Sequence, residues 1–162
     1  MASRSEFEPG EADLSLAALF AGWALADELQ RRLAADGFGD ARFADGFVFQ
    51  HLVAGPRTIG SLAERLEITQ QAVSKSVADL ERRGYVERRP DPDDARARRV
   101  ALTARGERAI EAARVHRAAI SAELAERLGP RRVEGARRLL LDVIADLGAD
   151  TAVRNRRVRP PQ

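Results

Sequence analysis

The chain has 162 residues, 44% of them hydrophobic, with a formal net charge of +2 and a pI near 9.8, enough for one domain with helical extensions. It has no cysteine, which excludes disulfides, thiolate metal sites and thiol-based oxidant sensing, and Met1 is its one methionine. No apolar run is long enough for a membrane span and no basic-plus-apolar leader is present, so a cytoplasmic protein with no membrane partner is expected.

Residues 1–12 are acidic and polar with Pro9-Gly10, and read as a flexible N-terminus. From Asp13 the apolar positions Leu14, Ala18, Ala21, Leu25, Leu29 and Leu33 recur every three or four residues, the spacing of a long helix. Phe20 and Trp23 widen its apolar face, and Gly37-Phe38-Gly39-Asp40 breaks it. A second helix is expected from Ala41 to Val53, ended by Gly55-Pro56. Thr58 can cap a third, marked by Ile59, Leu62 and Leu66. After a short Leu66-Glu67-Ile68 connection, Thr69 can cap a fourth.

That fourth helix has two unlike faces. Val73, Val77 and Leu80 fall at i, i+4 and i+7, a buried stripe. Gln71, Ser74, Lys75, Ala78 and Arg82 lie opposite, an outer face that is short-chained, amide-bearing and basic. Gln suits adenine, Ser a base edge or a phosphate, and Lys guanine or a phosphate, so the pair of helices reads as a helix-turn-helix with its second helix in a major groove. Gly84 supplies its stop. Two short strands follow, Val86 to Arg89 and Val100 to Leu102, around the turn-rich Pro90-Asp91-Pro92-Asp93-Asp94. A hairpin placed there is a wing.

Thr103 can cap a further long helix, marked by Ile110, Ala113, Ile120 and Leu124 and stopped by Gly129-Pro130. A last helix is expected from Arg131 to Leu147, with Val133, Ala136, Leu140, Val143 and Ile144. Residues 149–162 form a basic tail, expected to be disordered. All basic residues but Lys75 are Arg. A general bias toward Arg explains the bulk of that excess, whereas the clusters in the wing and the tail point to nucleic acid.

Taken together, Ser74-Lys75-Ser76-Val77, Leu80-Glu81-Arg82-Arg83-Gly84-Tyr85-Val86-Glu87-Arg88, Asp91-Pro92-Asp93-Asp94-Ala95-Arg96 and Leu102-Thr103-Ala104-Arg105-Gly106 resemble the winged helix of the MarR family of bacterial transcription regulators. The fold expected is mainly α (α+β): a winged helix-turn-helix over residues 41–103, flanked by dimerisation helices over 13–36 and 104–148. The broad apolar faces of the terminal helices call for a second copy of the chain around a two-fold axis, and the resemblance implies the same homodimer.

The expected partner is double-stranded DNA, met by Arg57, Thr58, Thr69, Gln70, Gln71, Ser74, Lys75, Arg96, Arg98 and Arg99. Thr58 and Arg57 stand where α-helical N–H groups suit a phosphate, but capping explains them equally well. The resemblance makes Arg96 the wing arginine that enters the minor groove. Arg98 and Arg99 point to opposite faces of a strand, so at most one meets DNA. Asp94 is expected to structure the wing rather than touch DNA.

The resemblance also implies a small effector lodged between the dimerisation helices and the reading unit. Phe20, Trp23, Phe47 and His51 are its candidate lining, with ordinary core packing the other reading, and an aromatic ligand the expected one. His51 and His116 are far apart with no carboxylates spaced around them, so no metal is expected. No cofactor is implied, and no catalytic motif suggests an enzyme. The function expected is that of a transcription regulator, a repressor on a pseudo-palindromic operator released by an organic effector. The alternative is an architectural DNA-binding protein with no effector.

Overall fold

A computed structural model describes residues 12–149, Asp93 and Ala95 excepted. Its elements are α1 (Leu14–Leu33), α2 (Asp45–Leu52), α3 (Ile59–Leu66), α4 (Gln70–Arg82), β1 (Val86–Pro90), β2 (Arg98–Leu102), α5 (Ala104–Leu128) and α6 (Pro130–Asp146). The fold is mainly α with one small antiparallel sheet, as the sequence implies. The expected N-terminal lead-in before Ala12 and the basic tail beyond Ala149 lie outside the described residues.

Asp13 caps α1 by accepting from the Leu16 N–H at 3.0 Å. The glycine pair does not cut the helix off cleanly. The chain continues through a wider, π-type turn over Ala34–Phe38, in which Gly37 takes a φ of +84° and Phe38 turns inward. The next helix starts later than the expected Ala41. The Asp45 carboxylate accepts from the Arg42 N–H at 2.7 Å and the Asp45 N–H returns to the Arg42 carbonyl at 3.0 Å. Residues 41–44 are thereby folded into a turn, and α2 is only two turns long.

Thr58 and Thr69 both cap as expected, accepting from Ser61 N–H at 3.2 Å and Ala72 N–H at 3.1 Å. The sharp turn between α3 and α4 is made by Glu67, the one non-glycine with positive φ (54°) among the described residues, while the Ile68 N–H closes onto the Ala63 carbonyl. Val73, Val77 and Leu80 are completely or almost completely buried, together with Leu62 of α3. Each such side chain contributes about 1.5–3 kcal/mol relative to exposure, which fixes α4 against the core and leaves its other face free.

The strands pair from Val86 with Leu102 to Pro90 with Arg98. A third segment joins them unannounced by the sequence: Arg57 exchanges both backbone bonds with Val100, at 2.9 and 2.7 Å. The wing is thus anchored at its base to Arg57, the residue before the α3 cap.

Thr103 links the sheet to α5. Its N–H donates to the Tyr85 carbonyl at 3.0 Å, its hydroxyl donates to the Gly84 carbonyl at 2.6 Å and accepts from the Gly106 N–H at 3.1 Å. A side chain on Gly106 would put its Cβ 2.2 Å from the Tyr85 carbonyl oxygen, so the Leu-Thr-x-x-Gly pattern marks a close approach of two backbones. The long helix α5 then packs on α1. Arg32 forks onto Glu123 at 2.8 and 2.6 Å, and His116 meets Asp36 at 2.7 Å. Pro130 opens α6 one residue earlier than expected, at a position where its missing N–H costs nothing.

The terminal helices are left with much apolar surface. α6 buries no residue, and Leu139, Leu140, Leu141 and Leu147 are exposed. On α1, Leu14, Leu16, Leu19, Phe20, Trp23 and Leu25 are exposed as well. Among the described residues no helix is long and apolar enough to cross a membrane.

Candidate nucleic-acid interface

The outer face of α4 is presented as its periodicity demands. Gln70, Gln71, Lys75 and Ala78 are exposed, Ser74 is half-buried, and Lys75 has no acidic partner among the described residues. Gln70 reaches back toward α3, its amide nitrogen 3.7 Å from the space above Gly60, with the Thr58 hydroxyl at 4.0 Å. The start of α3 and the start of α4 therefore share one small polar surface, on which the Thr58 and Thr69 hydroxyls are already engaged by backbone N–H groups.

In the wing, Asp94 fixes the loop through backbone rather than through an arginine. Its carboxylate accepts from the Arg96 N–H at 2.9 Å, and its carbonyl accepts from the Ala97 N–H at 2.9 Å. The Arg96 side chain is left exposed at the tip. Arg98 and Arg99 do diverge: Arg98 is exposed, whereas the Arg99 Nε donates to the buried Asp91 carboxylate at 2.6 Å. Arg57 is likewise turned inward, its Nε on the His51 carbonyl at 2.7 Å, where it closes the end of α2. Of the basic residues expected at the interface, Lys75, Arg96 and Arg98 keep their charge outward, and Arg57 and Arg99 spend theirs on intramolecular partners.

A second tier of ion pairs holds α4 from behind. Arg83, the residue that ends the helix, forks onto Asp45 at 2.7 and 3.0 Å, meets Asp79 at 2.7 Å and donates to the Asp40 carbonyl at 2.7 Å. The Asp45 bonds push the Arg83 pKa up from its ordinary value. Burial raises that of Asp79, but the guanidiniums of Arg83, Arg42 and Arg82 carry it below the usual carboxylate range. Beside it, the buried Tyr85 hydroxyl donates to Asp40 at 2.5 Å, and Arg105 meets Asp40 at 2.9 Å across the face of the Tyr85 ring. These residues were not singled out from sequence as functional. Arg42, exposed beside α4, was missed as well, because only the fold brings the α1–α2 link to that helix.

The four residues expected around an effector are not gathered by the single chain. Phe20 and Trp23 make an edge-to-face pair, ring centroids 5.4 Å apart, on the exposed side of α1. Phe47 packs against Phe43 and lines a cavity of about 330 Å³ between α1, α2 and α5, with Leu29, Gln30, Leu33, Phe49 and Arg117 on its walls. Neither Phe20, Trp23 nor His51 borders that space. Among the described residues no group of three or more His, Cys, Asp or Glu is placed to hold a metal ion.

The model of the MarR family matches residues 47–97, from α2 through the wing loop. The matched segment, which is the reading unit, is similar to the winged helix-turn-helix of that family. The MarR-like fold extends over the flanking helices too. YusO from Bacillus subtilis superposes with a TM-score of 0.65 at 24% identity, over 88% of this chain and 99% of that one. Wild-type MarR from E. coli, in its apo form, gives 0.58 at 23% identity over 82% and 98%. A point mutant of S. aureus MepR bound to an oligodeoxyribonucleotide gives 0.61 at 21% identity over 85% and 99%. At these identities the likeness is one of fold. No curated protein matches the chain in sequence.

Proposed function

We propose that this MarR-family chain is a homodimeric transcription regulator of the cytoplasm that binds a pseudo-palindromic DNA site and represses by occupying it. The observation that carries the reading is the outer face of α4, where Gln71 and Lys75 are exposed, Ser74 is half-buried and none of them is held by an ion pair among the described residues, on a helix locked to the core by its other side. Arg96 and Arg98 add charge from the wing. The MepR relative is bound to an oligodeoxyribonucleotide, which supports the same use of the fold here. Gln70, Thr58 and Thr69 then flank the base-reading residues, where a phosphate can share their N-terminal N–H groups.

The dimer is supported by α6, a 17-residue helix that packs on α5 but has no fully buried residue within its own chain. An amphipathic helix of that length gains its stability from a partner surface, and the exposed leucines of α1 and α6 supply one in a second copy. An effector fits best in the cavity between α1, α2 and α5. Its aromatic and aliphatic walls suit the apolar body of an aromatic acid, and Arg117 lies at its edge. Phe47 is retained in this proposal, and Phe20, Trp23 and His51, which do not line the cavity, are left out of it. Binding there loosens DNA only to the extent that the ligand favours one spacing of the two α4 helices over the other.

Selection of duplexes by the purified protein, followed by competition with unrelated DNA, tests the reading. A regulator retains one palindromic sequence class by a large affinity ratio. Near-uniform affinity would leave only the architectural role, charge and shape without a reading function.

A further inference from the structure

The last turns of α4 and the link before α2 enclose a groove of about 450 Å³, bordered by Arg42, Lys75, Ser76, Ala78 and Arg82. We propose that this groove is a second DNA-backbone site, in which Arg42 and Arg82 take a phosphate beyond the bases reached by Gln71 and Lys75. The inference rests on the DNA-binding reading above and extends it to Arg42 and Arg82, which that reading does not use.

Geometry places the groove on the correct face. Arg82 follows Lys75 by seven residues and Gln71 by eleven, near-whole numbers of turns, so the three side chains form one row. Arg42 joins the row from outside the helix. Its Nη1 lies 3.2 Å from an oxygen of Asp79, the same carboxylate that Arg82 and Arg83 contact. Arg42 and Arg82 remain 66% and 73% exposed, while Asp79 lies beneath them at 19%.

Electrostatics give the groove its ligand class. Among the described residues, Arg42, Lys75, Arg82 and Arg83 share the two carboxylates that line the groove, Asp45 and Asp79, and Arg83 is the guanidinium that pairs with Asp45. Two positive charges are left in excess. One carboxylate shared by three guanidiniums cannot match their planar forks: Arg42 and Arg82 each meet Asp79 through one nitrogen, and both side chains stay largely exposed. A phosphodiester offers the paired oxygens that such forks match, and the Ser76 hydroxyl adds a neutral donor. The groove opens on the row that includes Lys75, which makes a polymer backbone its occupant rather than an isolated anion. Asp79 acts as the positioning residue, holding the two exposed guanidiniums side by side.

The test uses the full chain, a duplex selected by it and an unrelated duplex, with affinity measured against salt concentration. Arg42→Ala should weaken both duplexes alike and flatten the salt dependence by about 0.9 in slope, one phosphate contact. Arg42→Lys should keep the slope. Arg114→Ala, an exposed arginine on α5, should leave it unchanged, and the unfolding midpoint of each variant should match wild type. An unaltered slope in Arg42→Ala, with Lys75→Ala still losing affinity, would overturn the groove site and leave the reading helix standing. Loss of base preference rather than slope in Arg42→Ala would also overturn it. Failure of the wild-type chain to bind either duplex would remove the DNA reading and this site together.

Discussion

Arg83 grips Asp45 with both terminal nitrogens, at 2.7 and 3.0 Å, and thereby ties the end of α4 to the first residue of α2. The two side chains are 11% and 10% exposed, so neither charge has water to fall back on. Removing one partner leaves the other buried and uncompensated. Arg83→Ala should cost about 3–5 kcal/mol in urea unfolding, and Arg83→Lys should recover only part of that because an ammonium cannot replace the fork. Wild-type stability in Arg83→Ala would mean that the pair does not brace α4.

The Tyr85–Asp40 bond predicts an alkaline limit to stability. Burial pushes the Tyr85 hydroxyl up, and its bond to Asp40 adds to the shift. A group raised in the folded state contributes stability that is complete below its unfolded value and lost as pH rises through the folded one. Unfolding free energy should therefore fall above roughly pH 10. Tyr85 is the chain's one tyrosine, so phenolate absorbance follows it directly. Tyr85→Phe should lose about 2 kcal/mol at neutral pH and abolish this alkaline slope; a slope that survives the substitution would assign it elsewhere.

The acid side has the opposite sign. The Tyr85 hydroxyl, then Arg105, hold the Asp40 carboxyl below the usual range. The stability this gives is present above about pH 4 and disappears as pH falls through the depressed value. Asp40→Asn should flatten the acid limb of the stability curve, and an unchanged limb would contradict the assignment.

Gly106 is predicted to tolerate no side chain. A methyl group would overlap the Tyr85 carbonyl, and that backbone is pinned by Thr103. Gly106→Ala should destabilise by roughly 1–3 kcal/mol or more, measured by thermal unfolding, whereas Gly135→Ala, with open space around it, should not.

Assembly should depend on the bare face of α6. Leu140→Glu should convert the proposed dimer to a monomer in light scattering. If the same face of the partner covers α1, the emission of Trp23, 56% exposed in the single chain, should shift to the red at the same time. A wild-type chain that is monomeric at micromolar concentration would rule the dimer out.

The sequence was most legible where local chemistry decides. Val73, Val77 and Leu80 set the buried side of α4 by spacing alone, and Thr58, Thr69 and Thr103 announce three helix starts by their hydroxyls. It was least legible where distant segments meet. Nothing local to Arg57 indicates that its backbone pairs with Val100, or that its guanidinium closes α2. Arg99 reads as a contact residue until the fold brings Asp91 against it. Periodicity puts the start of α2 too early because a carboxylate three residues on can draw the Arg42 N–H into a turn, a competition that periodicity does not register. Phe20 and Trp23 have the same pattern as core residues, and only the packing of α1 on α5 shows that they face outward.

The central claim is that α4 reads bases, and the most direct measurement is the affinity of wild type and Gln71→Ala for the selected duplex and for each of its single-base-pair variants. If Gln71 bonds a base edge in two places, its removal should relax preference at one position per half-site by roughly 1–3 kcal/mol and leave the other positions alone. Arg96→Ala, measured in parallel, should weaken all duplexes together. A Gln71→Ala protein with unchanged affinity and unchanged preference at every position would contradict the placement of α4 in the groove.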